Sequence, residues 1–197
     1  MEKRAKVSDI AKRFASHGVF PFQMAFTLLI PLRNIFLSPR QLVKRLELRD
    51  DMNVLEVGPG PGYFSPHLAR ALAKGELVLA DIQQEMLDYA KKRLEKKGLA
   101  NVGYYLCDGN TLDFPEGTFD RIVMVTVLGE VENKDAYMRE FYRILDDDGI
   151  LSISEQAGDP DRMTVEELRE LASEFGFEFY RQYGSKRNYT VNFRKKN

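Results

Sequence analysis

The chain has 197 residues, 44% of them hydrophobic and 30% charged, with a formal net charge of −1 at pH 7. That length and balance describe one soluble globular domain with a sizeable core. One cysteine, Cys107, excludes an intramolecular disulfide, and no signal peptide is read at the start, so the expected setting is reducing and cytoplasmic. The longest apolar patch, residues 24–32, contains Pro31 and falls short of the roughly 20 residues that span a bilayer.

The net charge conceals a division. Residues 1–50 hold ten Lys or Arg against four acids, residues 51–180 thirteen against twenty-six, and residues 181–197 six against none. Basic ends flanking an acidic middle suit an anionic substrate, nucleic acid or a membrane surface; equally, they are solvated helix faces and a frayed tail of Arg194, Lys195 and Lys196. No interleaving of aromatic and basic residues of the base-stacking kind is evident.

In chain order, residues 5–16 read as a basic amphipathic helix, and Ser38-Pro39 starts another that runs to about residue 48. Between them Phe20, Phe22, Phe26, Leu28, Leu29 and Ile30 carry more apolar surface than a connector requires. Residues 1–50 are therefore set apart as an N-terminal helical extension from a domain over 51–197. Three readings of it stay open: a lid over an acceptor pocket, a helix packed on the outer sheet face, or contact with a membrane surface aided by Lys3, Arg4, Lys6, Lys12 and Arg13.

Val54, Leu55 and Val57 read as a short buried strand that ends in Glu56 and then in Gly58-Pro59-Gly60-Pro61-Gly62. The glycines permit a sharp turn and close approach of a ligand, while the prolines fix φ and stiffen the loop. A dinucleotide fingerprint spaces its glycines as Gly-x-Gly-x-x-Gly against a pyrophosphate; here Tyr63 stands where its third glycine belongs. Glu56 would repel a pyrophosphate and suits a ligand with a cationic end.

Beyond the loop, residues 62–73 read as a helix, 76–80 as a strand, 83–97 as a helix and 102–106 as a strand. Residues 119–128 form an apolar strand interrupted only by Asp120 and Arg121, as expected when both faces are buried in a parallel sheet. Tyr137, Phe141, Ile144 and Leu145 mark another helix, and Gly149 opens a strand from Ile150 to Ser154. Thr164 and Glu167 form a capping box for a helix ending at Gly176, and residues 177–183 and 188–193 form a hairpin. The fold class is α/β: a doubly wound, mostly parallel, seven-stranded Rossmann-like sheet that ends in an antiparallel hairpin.

Open α/β sheets bind ligands at the carboxyl ends of their strands. Strand two ends in Asp81, whose carboxylate can accept two hydrogen bonds from ribose hydroxyls, followed by Ile82 and Gln83; strand three ends in Cys107-Asp108-Gly109, where Asp108 can accept from an adenine amino group; strand four ends in Thr126-Val127-Leu128. Asp81 also reads as a helix N-cap and Asp108-Gly109 as an ordinary turn. Met86 reads as core or pocket lining. Glu130 follows strand four closely enough to act as a general base on an acceptor, or is a solvated loop acid. His17 is the other candidate base, or a surface helix-end residue beside Gly18, and His67 reads as structural. No metal site is read.

The stretches VLEVGPGPGYFS, LADIQQEML, LCDGNTLDFPEGTFDRIVM and FYRILDDDGILSISE resemble, in order and spacing over residues 52–155, the motifs of small class I S-adenosylmethionine-dependent methyltransferases of the ubiquinone/menaquinone-methyltransferase-like group. The resemblance implies S-adenosyl-L-methionine as cofactor and S-adenosyl-L-homocysteine as product, with Glu56, Gly58, Gly60 and Gly62 at the methionine end, Asp81 on the ribose and Asp108 on the adenine. The Asp/Asn-Pro-Pro-aromatic signature of nucleic-acid amino methylation is absent after strand four, where Thr126-Val127-Leu128-Gly129-Glu130 stands. The multiple cysteines of arsenite methyltransferases are absent too. The expected reaction is methyl transfer to a small, partly apolar molecule by in-line displacement, which demands alignment and exclusion of water more than side-chain chemistry. Alternatives are an RNA or protein methyltransferase that uses the basic termini, and a cofactor-binding protein without activity.

Overall fold

The computed structural model describes residues 37–196; the expectations for residues 5–16, for the Phe-rich stretch and for His17 lie outside them. Helix α1 (Pro39–Arg45) starts at a capping box that was not read from the sequence: the Ser38 hydroxyl accepts from the Gln41 N–H and the Gln41 side chain accepts from the Ser38 N–H. Then follow β1 (Asn53–Val57), α2 (Ser65–Ala71), β2 (Glu76–Asp81), α3 (Gln84–Glu95), β3 (Val102–Leu106), β4 (Phe119–Val125), a 3-10 turn (Leu128–Glu130) and α4 (Lys134–Ile144). The chain closes with β5 (Leu145–Glu155), α5 (Val165–Glu174), β6 (Phe177–Gly184) and β7 (Tyr189–Lys195).

The sheet order is β3-β2-β1-β4-β5-β7-β6. Strands β1 to β5 pair in parallel, and β7 inserts antiparallel between β5 and β6. Successive strand residues point to opposite faces, so each strand feeds two cores. Leu55, Ile122, Met124 and Leu151 pack with α4 and α5 through Phe141 and Leu168; Val54, Leu77, Leu79 and Val123 pack on the other side with Leu68 and Leu87. The doubly wound sheet and its terminal hairpin are as expected.

Several bounds differ, each for a physical reason. The fourth strand stops at Val125 because Thr126 turns to φ 54, although its neighbours are all strand formers. Strand β5 begins at Leu145, not at Ile150: Leu145 pairs with Phe119, the ladder resumes with Ile150 opposite Arg121, and the acidic run between them bulges out. The basic tail is not frayed. Lys195 Nζ lies 3.0 Å from Asp147 Oδ1 and the Arg194 guanidinium 3.7 Å over the Tyr180 ring.

Helix α1 is part of the core rather than an appendage, since Leu37, Leu42 and Leu46 are buried with Val54 and Leu68. Its carboxyl end is held by Arg121 of β4, whose Nε donates to the Leu46 carbonyl at 2.7 Å and whose Nη2 donates to that of Glu47. The Thr164–Glu167 capping box is formed, with the Glu167 N–H donating to Thr164 Oγ1 at 3.1 Å and the Thr164 N–H to Glu167 Oε2 at 2.7 Å. No helix among the described residues is long and apolar enough to cross a membrane.

Candidate active site

A cleft of about 800 Å³ opens at the carboxyl ends of the parallel strands, where the crossover helices leave backbone groups and strand-end side chains exposed. Of the residues singled out from the sequence, Glu56, Gly58, Pro59, Gly60, Asp81, Ile82, Gln83, Cys107, Asp108, Gly109, Thr126 and Glu130 all line it. Gly62 does not. A Cβ there would stand 3.2 Å from the Ala90 Cβ of α3, so this glycine lets the loop sit against a helix.

Glu56 is 4% exposed, and its Oε2 has no hydrogen-bond partner among the described residues. Burial pushes its carboxyl up to about 7, with the neighbouring Ser65 hydroxyl pulling the other way. A buried carboxylate with an unused oxygen is a site for a cation or a hydrogen-bond donor. Gly58 keeps the wall beside it open: its φ is 64, its N–H donates to the Ala80 carbonyl at 2.8 Å, and a Cβ would come within 2.6 Å of Val127.

Asp81 is buried and accepts from the Gln83 N–H at 3.0 Å. Burial raises its pKa above the usual carboxylate range, opposed by the backbone N–H groups of Gln83, Gly60 and Ile82. The carboxylate thus ties the glycine loop to the end of β2. It is not the N-cap of α3, a position taken by Gln83. Ile82 is 44% exposed on the cleft, an apolar surface open to a flat ring. Asp108 is exposed, and one oxygen accepts from both Asn110 N–H (2.8 Å) and Thr111 N–H (2.7 Å). These bonds hold its pKa below the usual range, so it remains an anion that fixes the turn after β3.

Thr126 is a β-branched residue in the left-handed region, where such side chains are strained. Its N–H donates to the Ser154 carbonyl at 2.8 Å and its hydroxyl to the Val125 carbonyl at 2.7 Å. Cys107 is buried with its Sγ 3.5 Å from the Tyr137 hydroxyl, and burial pushes its thiol pKa up. Met86 is both core and lining, 2% exposed at the cleft. His67 is exposed on α2 and outside the cleft.

Sequence reasoning missed the end of β5. Glu155 is 1% exposed, with neither carboxylate oxygen partnered among the described residues. Burial, then the charge of Asp159, pushes its pKa up to about 8. Gln156 lines the cleft beside it, also buried, with Nε2 unpartnered among the described residues. The strand-end rule would have found both had it been applied to strand five. Tyr63, Phe64 and Tyr137 add aromatic lining.

These residues fit an adenosyl ligand with a cationic end: an unused buried carboxylate at β1, an open glycine lip, a second carboxylate at β2 and an apolar rim at Ile82. Comparisons agree. Residues 54–149 match the family described as methyltransferase domain. The chain is 36% identical to the ubiquinone/menaquinone biosynthesis C-methyltransferase UbiE of Cellvibrio japonicus over 110 residues, 55% of this chain and 44% of that protein. It is 32% identical to its counterpart in Hydrogenovibrio crunogenus over 118 residues, 59% and 46% of the two chains. The match thus spans less than half the length of these curated relatives. Among solved structures, a SAM dependent methyltransferase from Aquifex aeolicus superposes with TM-score 0.83 at 25% identity over 89% of this chain and 98% of that one. The [4+2]-cyclase SpnF shares the fold at TM-score 0.70 and 19% identity, covering 80% of each chain. Residues 54–149 thus match a methyltransferase domain, and the chain shares its fold with a SAM dependent methyltransferase and part of its sequence with ubiquinone/menaquinone C-methyltransferases.

Proposed function

We propose that the protein transfers a methyl group from S-adenosylmethionine to a small, partly apolar acceptor bound in the same cleft, in a reducing, cytoplasmic setting. The observation that carries this reading is Glu56: a buried carboxylate with an unused oxygen beside an open glycine turn. Bound there, S-adenosylmethionine supplies a methyl on a positively charged sulfur, and the side chains bind and orient. Glu56 faces the cationic methionine end, Asp81 accepts from the ribose hydroxyls, and Ile82 covers one face of the adenine while Asp108 holds the turn beneath it. Val127, Val131 and Tyr137 supply the apolar part of the acceptor wall, which keeps water from the transfer path. Glu130, half-buried on the 3-10 turn at the cleft, takes the proton where the acceptor must lose one.

The charge of the cleft favours this reading over an RNA substrate. Among the described residues its lining includes six carboxylates and no Lys, Arg or His, a surface that repels a polyanion. The test is isothermal titration with S-adenosylmethionine, S-adenosylhomocysteine and NAD, followed by methyl transfer from labelled cofactor to a panel of phenols, enols and amines. Micromolar binding of both adenosyl compounds, none of NAD, and a labelled small product are expected. Binding of NAD alone would overturn the cofactor assignment, and labelled RNA with no labelled small molecule would overturn the acceptor class.

A further inference from the structure

Residues 51–180 carry twice as many acids as cations, yet seven of their thirteen Lys and Arg fall between Arg70 and Lys97. The fold gathers three of these, Arg70, Arg93 and Lys97, with Arg40 of α1. After burial, the charges of Arg70, Lys97, Arg93 and Arg40 hold the His67 imidazole below its ordinary pKa, so cations from three helical segments share one field. Tyr89, Lys92, Arg93, Lys96 and Lys97 line an adjoining groove along α3.

Several other cations are paired: Lys74 with Asp50, Arg139 with Asp135 and Arg143 with Glu140. Among the described residues no carboxylate lies within ion-pair distance of Arg40, Arg70, Arg93 or Lys97, and Arg93 Nε is buried without a partner there. The helix dipole favours cations in a last turn, which accounts in part for Arg70 and Arg93. Arg40 and His67 stand in the first turns of α1 and α2, where the dipole opposes them.

We propose that the face formed by α1, α2 and α3 is a docking surface for an anionic lipid bilayer, with Arg40, Arg70, Arg93 and Lys97 as its phosphate-facing charges. One observation favours lipid over nucleic acid. The groove offers one exposed ring, Tyr89 (43% exposed), suited to the headgroup zone but not to a series of stacked bases. None of the four cations lines the cleft, so this surface is separate from the cofactor site and does not depend on methyl transfer.

The full chain is sedimented with phosphatidylcholine vesicles that contain or lack phosphatidylglycerol. Expected is partition onto the anionic vesicles alone, weakened by salt, and reduced about a hundredfold by Arg70→Ala/Arg93→Ala/Lys97→Ala, with S-adenosylmethionine binding unchanged. Arg40→Gln/Lys97→Gln, confined to exposed side chains, is expected to lose about tenfold or more and serves if the triple variant does not fold. Replacing the three by Lys or Arg of the opposite kind is expected to retain binding. Equal partition of wild type and charge-removal variants overturns the proposal, as does no partition of the wild type. So does loss, on the same substitutions, of binding to a single-stranded oligonucleotide without any vesicle binding.

Discussion

Val127 stands 2.6 Å from where a Cβ on Gly58 would lie, so the turn leaving β1 and the turn leaving β4 are packed directly on one another at the cleft. Gly58→Ala meets both this clash and a φ of 64. It is expected to cost about 1–3 kcal/mol of stability and to weaken S-adenosylmethionine binding as the loop shifts. Adding Val127→Ala removes the clash but not the strain and is expected to restore part of the loss. Gly62→Ala presses on Ala90 instead; it is expected to lower the melting temperature while leaving affinity within about twofold. Calorimetric titration of the variants separates the two roles, and equal loss of affinity in both would place Gly62 at the ligand after all.

The raised pKa of Glu56 gives the protein a pH dependence of definite sign. Its carboxyl titrates near 4.5 when unfolded and at about 7 when folded, so between these values the folded state holds the proton more tightly. Stability is therefore lost as pH rises from about 4.5 to about 7, by about 3 kcal/mol, and levels off above. A cationic ligand favours the ionised form. Affinity for S-adenosylmethionine should accordingly climb with pH up to about 7, by at most about tenfold per unit, with a proton released on binding. Titration in buffers of different ionisation enthalpy reads that proton. Glu56→Gln should abolish its release and flatten the stability curve; an unchanged pH profile in that variant would remove Glu56 as the source.

Glu155 acts with the same sign over a wider range. Its pKa of about 8 means that stability is lost as pH rises from about 4.5 to about 8. Glu155→Gln keeps the shape without the charge. Thermal unfolding at pH 9 should show a gain of several degrees, at about 2–4 °C per kcal/mol for a chain of this size, and little change at pH 5. A loss at pH 9 would mean that the ionised carboxylate has a partner that holds it.

Asp81→Ala removes both the proposed ribose acceptor and the partner of the Gln83 N–H. Hydrogen bonds to a charged group are worth roughly 1.5–3 kcal/mol, so affinity for S-adenosylmethionine is expected to fall by about tenfold to a hundredfold. Unchanged affinity in a folded variant would withdraw the ribose role.

The strand ends were legible where a buried run met an acid and a glycine, as at Glu56-Val57-Gly58 and Asp108-Gly109, because burial, charge and turn chemistry coincide there. Spacing alone does not tell which glycine lines the cleft and which meets a helix, so Gly58 and Gly62 looked alike. The end of β4 was hidden because Val125, Thr126, Val127 and Leu128 continue the strand pattern while the backbone reverses at Thr126. Glu155 directly follows the strand read as ending at Ser154, so its place at a strand end was legible, but its burial without a partner was not, since patterning excludes a buried unpaired carboxylate. The cationic face needed three segments at once, and Lys91 to Lys97 by themselves look like a solvated helix end.

The clamp of Arg121 on α1 also bears on the order of assembly. A helix of seven residues is too short to persist alone in water, and the carbonyl at its end waits for a guanidinium 75 residues later in the chain. Its leucines bury in a cluster shared with β1, α2, β2, α3 and β4. Helix α1 is therefore expected to gain these contacts only after β1 and β4 have paired. Loop closure over that separation slows it, and native-state amide exchange should find α1 opening before the central strands.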